Sequence, residues 1–392
     1  MISNQAPTHK RRKVCVVVTA RPSYSRIRSV LAAISDHADL QLQLIVGASA
    51  LLDRYGNAAD VIRRDGFDVD ASVYMVLEGE NPTSMAKTTG LGVLELATVF
   101  DNLRPDVVVS VADRFETLAT AVAAAYMNIP LAHVQGGEVS GNIDEKVRHS
   151  VTKLADVHFV STDMAGERVR RMGEAAAAVH VTGCPSIDIA SAIDTTPLAF
   201  DPMERYGGVG EPIDLSSGYL VVLQHPVTTE YGDSRRQTEE TLEAVSRSGR
   251  PTMWFWPNVD AGSDGTSRAL RAFRESGRLP NVHFFKNMDP TDFLRVLIGA
   301  DCLIGNSSVG IRECSFLGVP VVNIGSRQTG RERGPNVLDC GYGRGEIGAG
   351  IEHQIAHGPY PGTDLYGDGS AGKRIADLLA DIPLTIEKRL TY

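Results

Sequence analysis

The chain alternates short, almost wholly apolar runs with longer amphipathic stretches, and this alternation limits the fold more than any other feature. The first such runs are KVCVVVTA (13–20), LQLIVGA (42–48), DVVVSVA (106–112) and LAHVQ (131–135). Apolar runs of this length are typical of strands that are buried on both faces, as in a parallel sheet covered by helices. The pattern therefore predicts an α/β fold of the doubly wound, Rossmann-like type.

The same pattern occurs in both halves of the chain. HFVST (158–162) and VHVTGC (179–184) complete the first set of strands, and a second set contains YLVVLQH, TMWFWPN, VHFFKN, CLIGN and PVVNIG. Residues 197–217 are rich in Pro, Gly and charge, which is typical of a linker. We predict an N-terminal domain over 1–200, a C-terminal domain over 201–375, and a C-terminal helix over 376–392 that packs back on the N-terminal domain.

Composition narrows the classes of function. The net charge of -9 argues against a general nucleic-acid binder, which needs a basic face. No apolar run approaches the roughly 20 residues that cross a bilayer, so we expect no membrane partner and a cytoplasmic protein. The five cysteines include no CxxC pair and the ten histidines show no ligand spacing, so we expect reduced thiols, no metal and no cofactor.

Candidate site residues of the first half follow the predicted strands, where ligands of doubly wound sheets bind. The three stretches are TARPSYSRI (19–27), VADRFETLA (111–119) and VQGGEVSGNIDEKVRH (134–149). Their candidate residues are Arg21, Ser25, Asp113, Arg114, Gln135, Glu138, Asp144 and Glu145. Helix N-terminal amides and arginines can hold a phosphate, and paired acids can move protons. Helix capping and solvated loops are the alternative interpretation of these stretches.

Candidate residues of the second half also follow strands. They are His225 in VVLQHPVTTE, Asn258 in WPN, Asn306, Ser307, Ser308 and Glu313 in IGNSSVGIRE, and Arg327 and Arg331 in SRQTGRERG. Small hydroxyl residues at the start of a helix predict a phosphate cradle, and Glu313 could accept two ribose hydroxyls. Capping and a solvated basic loop remain the alternative. GYGRGEIG (341–348) superficially resembles a dinucleotide fingerprint, but it follows no predicted strand.

Several motifs together resemble the hydrolysing UDP-N-acetylglucosamine 2-epimerases of the sialic-acid-pathway type. The motifs are DRFETLA, GGEVSGNIDEKVRHSVTKLAD, GCPSID, HPVTTE, WPNVDAGS, IGNSSVGIRE and SRQTGRERG, in order within residues 113–334. The resemblance implies a glycosyltransferase-B-type architecture with a central cleft, UDP held mainly by the second domain, no metal, and a homodimer. It also implies the conversion of UDP-N-acetylglucosamine and water to N-acetylmannosamine and UDP through 2-acetamidoglucal.

The resemblance also assigns roles to residues. Asp113, Glu138, Asp144 and His225 correspond to catalytic positions, and Ser307, Ser308 and Glu313 to diphosphate and ribose ligands. Gln135 is a departure, because relatives often have a glutamate there that is a proposed acid or base, and Ala112 replaces a common glycine. Three alternatives stay open: a non-hydrolysing 2-epimerase, an epimerase of another UDP-amino sugar, and a glycosyltransferase or UDP-sugar-binding protein without turnover.

Overall fold

The structure is a computed structural model that describes residues 10–53, 56–78, 82–139, 143–196, 198–257, 263–277 and 281–391. The chain divides into two compact units. The first comprises Met1–Glu138, Lys146–Asp188 and Ser370–Tyr392, and the second Val139–Glu145 and Ile189–Gly369. Both ends of the chain therefore belong to the first unit.

The first unit is built on seven parallel strands. They are β1 (Arg12–Val18), β2 (Leu40–Gly47), β3 (Ala71–Val73), β4 (Val107–Val111), β5 (Leu131–Val134), β6 (Val157–Val160) and β7 (Val179–Val181). Their order in the sheet is β3-β2-β1-β4-β5-β6-β7, so the winding direction reverses between β1 and β4. Such a reversal point is where doubly wound sheets bind ligands.

Helices cover both faces of this sheet. They are α1 (Arg21–Asp36), α2 (Ala58–Arg64), α3 (Pro82–Leu103), α4 (Thr117–Tyr126), α5 (Ile143–Leu154), α6 (Asp163–Arg171) and α7 (Pro185–Ser191). Alternate residues of one strand enter different cores: Val14 and Val16 pack with α1, whereas Cys15 and Val17 pack with the apolar side of α3 and α4. Burial on both faces explains why the strands read as continuous apolar runs.

The second unit repeats the plan with six parallel strands. They are β8 (Leu220–Leu223), β9 (Thr252–Phe255), β10 (Val282–Phe285), β11 (Cys302–Gly305), β12 (Val321–Ile324) and β13 (Val337–Cys340), in the order β10-β9-β8-β11-β12-β13. The winding direction reverses between β8 and β11. The predicted class of two doubly wound α/β domains is confirmed.

The helices of the second unit are shorter on average. They are α8 (Pro202–Tyr206), α9 (Ser234–Ser248), α10 (Ser263–Glu275), α11 (Pro290–Ile298), α12 (Ser308–Ile311), α13 (Glu313–Leu317) and α14 (Arg344–His357). One core joins Leu220 and Val222 to α9, α10 and α14, and the other joins Val221 and Leu303 to α11 and α13.

The segment predicted as a linker is part of the second unit's packing, so the linker prediction was wrong. Asp201 caps α8 by accepting from the backbone of Met203 (2.7 Å), and Pro202 stands in the first turn, where a missing N–H costs nothing. Val209 forms a bridge with Phe284 on β10, and Ile213 is buried. The segment's high Pro and Gly content made the helix-capping signal of Asp201 and Pro202 hard to recognise in the sequence.

The C-terminal helix, α15 (Ala371–Asp381), belongs to the first unit and packs on α1. It begins before the predicted residue 376 and ends at Asp381, and the described residues after it are not helical. The backbone N–H groups of Ala371 and Gly372 donate to the Asp188 carboxylate at 2.9 and 2.6 Å. An acid at a helix N-terminus satisfies groups that have no partner inside the helix.

GYGRGEIG does follow a strand, contrary to expectation. β13 ends at Cys340, and α14 begins at Arg344. β13 is an edge strand whose residues are only partly buried, which is why its sequence lacked a strong apolar signal. The Glu346 carboxylate accepts from the Gly341 N–H at 2.7 Å, so a side chain of the protein already occupies this turn.

Candidate active site

The reversal point of the first sheet carries a buried acid held by arginines. Asp113 follows β4 and lies next to Arg148 of α5, whose Nη2 contacts Asp113 Oδ2, and Arg26 Nη1 of α1 lies 3.6 Å from Asp113 Oδ1. Arg148 is fully buried and Asp113 is 7 % exposed. Two guanidinium groups stabilise the charged form of this carboxylate.

Glu138 belongs to the same cluster. Arg148 Nη1 donates to the Glu138 carbonyl oxygen at 2.8 Å, and Ser161 Oγ donates to Glu138 Oε1 at 2.9 Å. The structure therefore brings together two of the predicted catalytic acids, Asp113 and Glu138. Sequence reasoning missed Arg148 and Arg26. A signal for Arg148 was available, because it lies one turn after Asp144, on the same side of the amphipathic helix α5.

The other predicted acids lie in the first turn of α5, which contains Asp144 and Glu145. Both side chains are partly exposed. Acids are favoured at this end of a helix, where the backbone N–H groups point outward. Their predicted catalytic and binding roles stay predictions.

Gln135 follows β5 in an unusual backbone conformation. Its φ is +68°, and that of Ala112 after β4 is +61°, although neither residue is glycine. Side chains with a Cβ rarely adopt this region, so both turns are held by their surroundings. Gln135 Nε2 donates to Cys184 Sγ at 3.0 Å, and its buried Oε1 has no hydrogen-bond partner among the described residues.

The remaining predicted residues of the first unit make local contacts. Arg114 pairs with the buried Glu116 carboxylate, with 3.3 Å between Nε and Oε2. Ser25 Oγ donates to the Arg21 carbonyl oxygen at 3.3 Å within α1. Arg21 is the first residue of that helix, where a phosphate-binding arginine was predicted. None of these contacts tests the predicted binding roles.

The reversal point of the second sheet is fixed by an amide pairing. His225 follows β8 and Asn306 follows β11, and both are buried. Asn306 Oδ1 accepts from the His225 N–H at 2.7 Å, and Asn306 Nδ2 donates to the His225 carbonyl oxygen at 2.8 Å. The Asn306 side chain thus hydrogen-bonds both backbone polar groups of His225. Gly305 makes this approach possible, because a Cβ there would lie 2.2 Å from the Leu223 carbonyl oxygen.

The loop SRQTGRERG is anchored to the same point. Gln328 Nε2 and Arg327 Nη1 donate to the Asn306 carbonyl oxygen at 2.8 and 3.1 Å. Arg331 Nε donates to the carbonyl oxygen of Val139, a residue of the second unit, at 2.8 Å. The predicted Asn306, Arg327 and His225 therefore form one hydrogen-bonded group.

Glu230 of HPVTTE supports this loop, and sequence reasoning missed it. Its carboxylate accepts from Ser326 Oγ, from Tyr342 Oη at 2.7 Å and from Gln237 Nε2 at 2.8 Å. Burial raises the pKa of Glu230, but these hydrogen bonds outweigh burial and lower it below the usual range. A charged Glu230 is thus a fixed support for Ser326.

The predicted phosphate cradle has a different shape from the one expected. Ser307 caps α12, its Oγ lying 3.5 Å from the Val309 nitrogen, and Ser308 is the first helical residue. The helix expected to continue to Glu313 ends at Ile311, and Glu313 starts the separate helix α13 after a break at Arg312. The short α12 supplies few outward N–H groups, so a phosphate here would depend more on Ser307, Ser308 and the neighbouring arginines. Asn258 lies outside the described residues.

The described residues show neither a metal cluster nor a membrane-spanning helix. No group of three or more His, Cys, Asp or Glu residues in this part of the chain is placed to hold a metal ion. No helix within the described ranges is long and apolar enough to cross a bilayer. All five cysteines are free, and Cys15, Cys184, Cys302 and Cys314 are buried.

Known proteins resemble this chain over most of its length. A family model described as UDP-N-acetylglucosamine 2-epimerase matches residues 32–380. A Legionella pneumophila UDP-N,N'-diacetylbacillosamine 2-epimerase (hydrolyzing) is 33% identical over 95% of this chain and 97% of its own length. A Neisseria meningitidis UDP-N-acetylglucosamine 2-epimerase is 29% identical over 94% of this chain and 95% of its own.

Solved structures of UDP-N-acetylglucosamine 2-epimerases have a similar fold. The crystal structure of a UDP-GlcNAc 2-epimerase from Neisseria meningitidis bound to UDP-GlcNAc superposes with a TM-score of 0.78 at 18% identity, covering 94% of this chain and 99% of that chain. The two doubly wound units are thus of the glycosyltransferase-B-like type found in such enzymes. The family model and the 33% identical relative each span nearly the whole chain, and on that ground the chain belongs to the UDP-N-acetylglucosamine 2-epimerase family.

Proposed function

We propose that the protein is a hydrolysing 2-epimerase of a UDP-linked 2-acetamido sugar, which releases UDP and the free C2-epimeric sugar. The observation that carries the proposal is the buried group of Asp113, Arg148 and Glu138 at the reversal point of the first sheet. The word "hydrolyzing" in the names of the Legionella relative and of a Campylobacter jejuni relative, 28% identical, supports the release of UDP.

The proposed chemistry explains why the site needs both acids and cations. The C2 proton of the sugar is weakly acidic, so departure of UDP from C1 has to run ahead of its removal and build positive charge on the ring. Carboxylates such as Asp113 and Glu138 stabilise that charge and accept the proton. Removal of the proton and of UDP leaves a 2-acetamidoglucal, and water then adds a hydroxyl at C1 and a proton at C2.

We assign the roles as follows. Asp113, whose charge two arginines stabilise, acts on the sugar as base or electrostatic partner, and Glu138 or Asp144 supplies the second proton transfer, because Gln135 cannot transfer a proton. His225 contacts the leaving diphosphate. The proposed substrate-binding residues are Arg21, Ser25, Arg114, Gln135, Glu145, Asn258, Asn306, Ser307, Ser308, Glu313, Arg327 and Arg331.

For the sugar, we favour a diacetamido sugar such as that of UDP-N,N'-diacetylbacillosamine. The name of the 33% identical relative supports it. The buried Gln135 Oε1 is a neutral acceptor without a partner among the described residues and could accept from the 2-acetamido N–H that both candidate sugars carry. UDP-N-acetylglucosamine is the second candidate, and the Neisseria relative supports it.

Incubation with each UDP-sugar, followed by NMR of the products, tests the proposal. We expect free sugar with inverted C2 configuration and an equal amount of UDP, with a higher kcat/KM for the diacetamido substrate. A UDP-sugar epimerised at C2 without release of UDP would show the non-hydrolysing reaction. Intact substrate in both incubations would favour a binding protein or a glycosyltransferase and would overturn the proposal.

A further inference from the structure

His133 of β5 makes two hydrogen bonds that sequence reasoning did not foresee. Its Nε2 lies 2.9 Å from the Ala112 carbonyl oxygen, and its Nδ1 lies 3.2 Å from Thr152 Oγ1. A carbonyl oxygen only accepts, so Nε2 carries the proton. Burial lowers the pKa of His133 to about 4, so the imidazole is neutral near pH 7 and Nδ1 accepts from the Thr152 hydroxyl.

These two bonds join the elements that carry the buried ion pair. Ala112 immediately precedes Asp113 and has a left-handed backbone, which is strained for a residue with a Cβ. Thr152 lies one turn after Arg148 on α5. One imidazole therefore ties the backbone before Asp113 to the helix that brings Arg148.

Two further contacts show that this arrangement is built into the fold. The Ala112 N–H donates to the Val134 carbonyl oxygen at 3.0 Å, so both backbone polar groups of Ala112 are bound by β5. A Cβ at Gly136 would lie 3.1 Å from both His133 Nδ1 and Thr152 Oγ1. The glycine leaves room for that hydrogen bond.

We propose that His133 is a positioning residue, which holds Ala112 in its left-handed conformation and thereby aligns the Asp113 carboxylate with the Arg148 guanidinium. This inference rests on the proposed function, because the alignment matters for the reaction only if Asp113 acts on the sugar. His133 contacts no reacting atom in this account.

Replacement of His133 and of a matched histidine provides the first test. His133→Leu should lower kcat roughly 100-fold, as a displacement of about 1 Å does, while the Kd for UDP changes less than about threefold. The control is His158→Leu: His158 pairs in register with His133 across β5 and β6 and is equally buried, but it binds Glu174. That variant should lose stability and keep kcat within about threefold of the wild type. Equal loss of kcat in both variants would overturn the inference.

Rescue by glycine provides a test that a merely structural role would not pass. Glycine adopts a positive φ without steric cost, so Ala112→Gly makes the hold of His133 less necessary. The roughly 100-fold loss caused by His133→Leu should shrink to less than about tenfold in the Ala112→Gly background. His133→Gln, which keeps an N–H near the position of Nε2, should retain most of the activity. An undiminished loss in the glycine background would contradict the proposal.

A crystal structure separates failure of this inference from failure of the proposed function. In His133→Leu, Ala112 should leave the left-handed region and Asp113 should part from Arg148, whether or not the wild type turns over a UDP-sugar. An unchanged φ with an intact ion pair would overturn the inference, whereas a wild type without turnover would overturn the proposed function alone. If His133→Leu does not fold, His133→Asn, which is too short to reach the Ala112 oxygen, enters the same comparisons.

Discussion

Asp113 is the residue on which the proposed chemistry depends most. Its carboxylate faces Arg148 and Arg26 within a buried cluster, so its charge is balanced by cations rather than by water. An amide at this position would keep the shape of the side chain and remove both its charge and its ability to accept a proton. In the proposed reaction, the Asp113 carboxylate would exchange its proton with the sugar rather than with solvent.

Asp113→Asn should therefore lower kcat by roughly 100- to 10,000-fold, the range that general acid–base groups contribute, while UDP binding persists. Product NMR gives the rate, and titration calorimetry gives the Kd for UDP. Asp163→Asn is the control, because Asp163 is an exposed acid in the first turn of α6 in the same unit. Full activity of Asp113→Asn would refute the catalytic assignment.

The Asn306 amide holds the His225 backbone, and its replacement by aspartate tests that role. Asn306→Asp keeps the acceptor for the His225 N–H but replaces the donor to the His225 carbonyl oxygen with a second acceptor. A buried carbonyl that loses its donor costs about 1–3 kcal/mol, so denaturant unfolding should show a loss of this size. UDP binding should weaken as well, because His225 and the anchored loop share this point.

Asn281→Asp is the matched control for Asn306→Asp. Asn281 also donates its side-chain amide to a carbonyl oxygen, that of Gly249 at 3.0 Å, but it is exposed. Water replaces the lost donor there, so we expect a smaller loss of stability and an unchanged Kd for UDP. Equal effects in the two variants would contradict the role of Asn306 as the anchor of His225.

Sequence reasoning located single residues better than it located their partners. Asp113 and His225 follow strands, and the strand pattern alone puts them at the ligand-binding edges of the sheets. Arg148 and His133 were missed, because the role of a buried arginine or histidine depends on neighbours that are distant in sequence. Asn306 was predicted as a substrate ligand, and only the structure shows that its amide binds the His225 backbone.

At the scale of elements, burial decided which predictions succeeded. Strands buried on both faces, such as β1 and β4, were found within one or two residues, because their short length and β-branched side chains distinguish such apolar runs from buried helices. The edge strand β13 was missed, since its residues are only partly buried. The helix α8 was missed because its five residues carry a capping signal inside a segment rich in Gly and Pro.

Lys388, which follows α15, joins the C-terminal segment to a group of side chains around Glu174. Lys388 Nζ lies 2.6 Å from the Glu174 carboxylate, which also accepts from Lys153 (2.6 Å) and from His158 (3.1 Å). Burial raises the pKa of Glu174, but the three hydrogen bonds outweigh it and lower the pKa from 4.5 to about 2. A depressed carboxylate pKa contributes stability that is present above the unfolded pKa and is lost as the pH falls toward the folded value.

Lys388→Met should therefore destabilise the protein at pH 7, and the difference from the wild type should shrink as the pH falls from about 4.5 to about 2. Urea unfolding at several pH values measures this difference. Lys373→Met is the control, because Lys373 pairs with Asp377 on the surface of α15, where ion pairs contribute little. A pH-independent difference for Lys388→Met would exclude Glu174 as its cause.

At the scale of the whole molecule, both sheets reverse their winding direction between their first and fourth strands in chain order, and in each sheet candidate residues follow the two strands at that point. β1 and β4 lead to Arg21 and Asp113, and β8 and β11 lead to His225 and Asn306. The alternation of apolar runs predicted both sheets apart from the edge strand β13. The alternation alone does not assign the C-terminal segment to a unit, because no sequence period records a contact between the two ends of a chain. The separate prediction of a C-terminal helix that packs back on the N-terminal domain concerned this segment, and α15 belongs to the first unit.

Isotope transfer from solvent tests the central claim most directly, namely that UDP leaves from C1 while the C2 proton is removed. The reaction is run once in D₂O and once in H₂¹⁸O, and the products are read by mass spectrometry. The account predicts one deuteron at C2 of the released sugar and no ¹⁸O in UDP, because the C1–O bond breaks. A sugar without deuterium at C2, or ¹⁸O in the UDP phosphate, would contradict it.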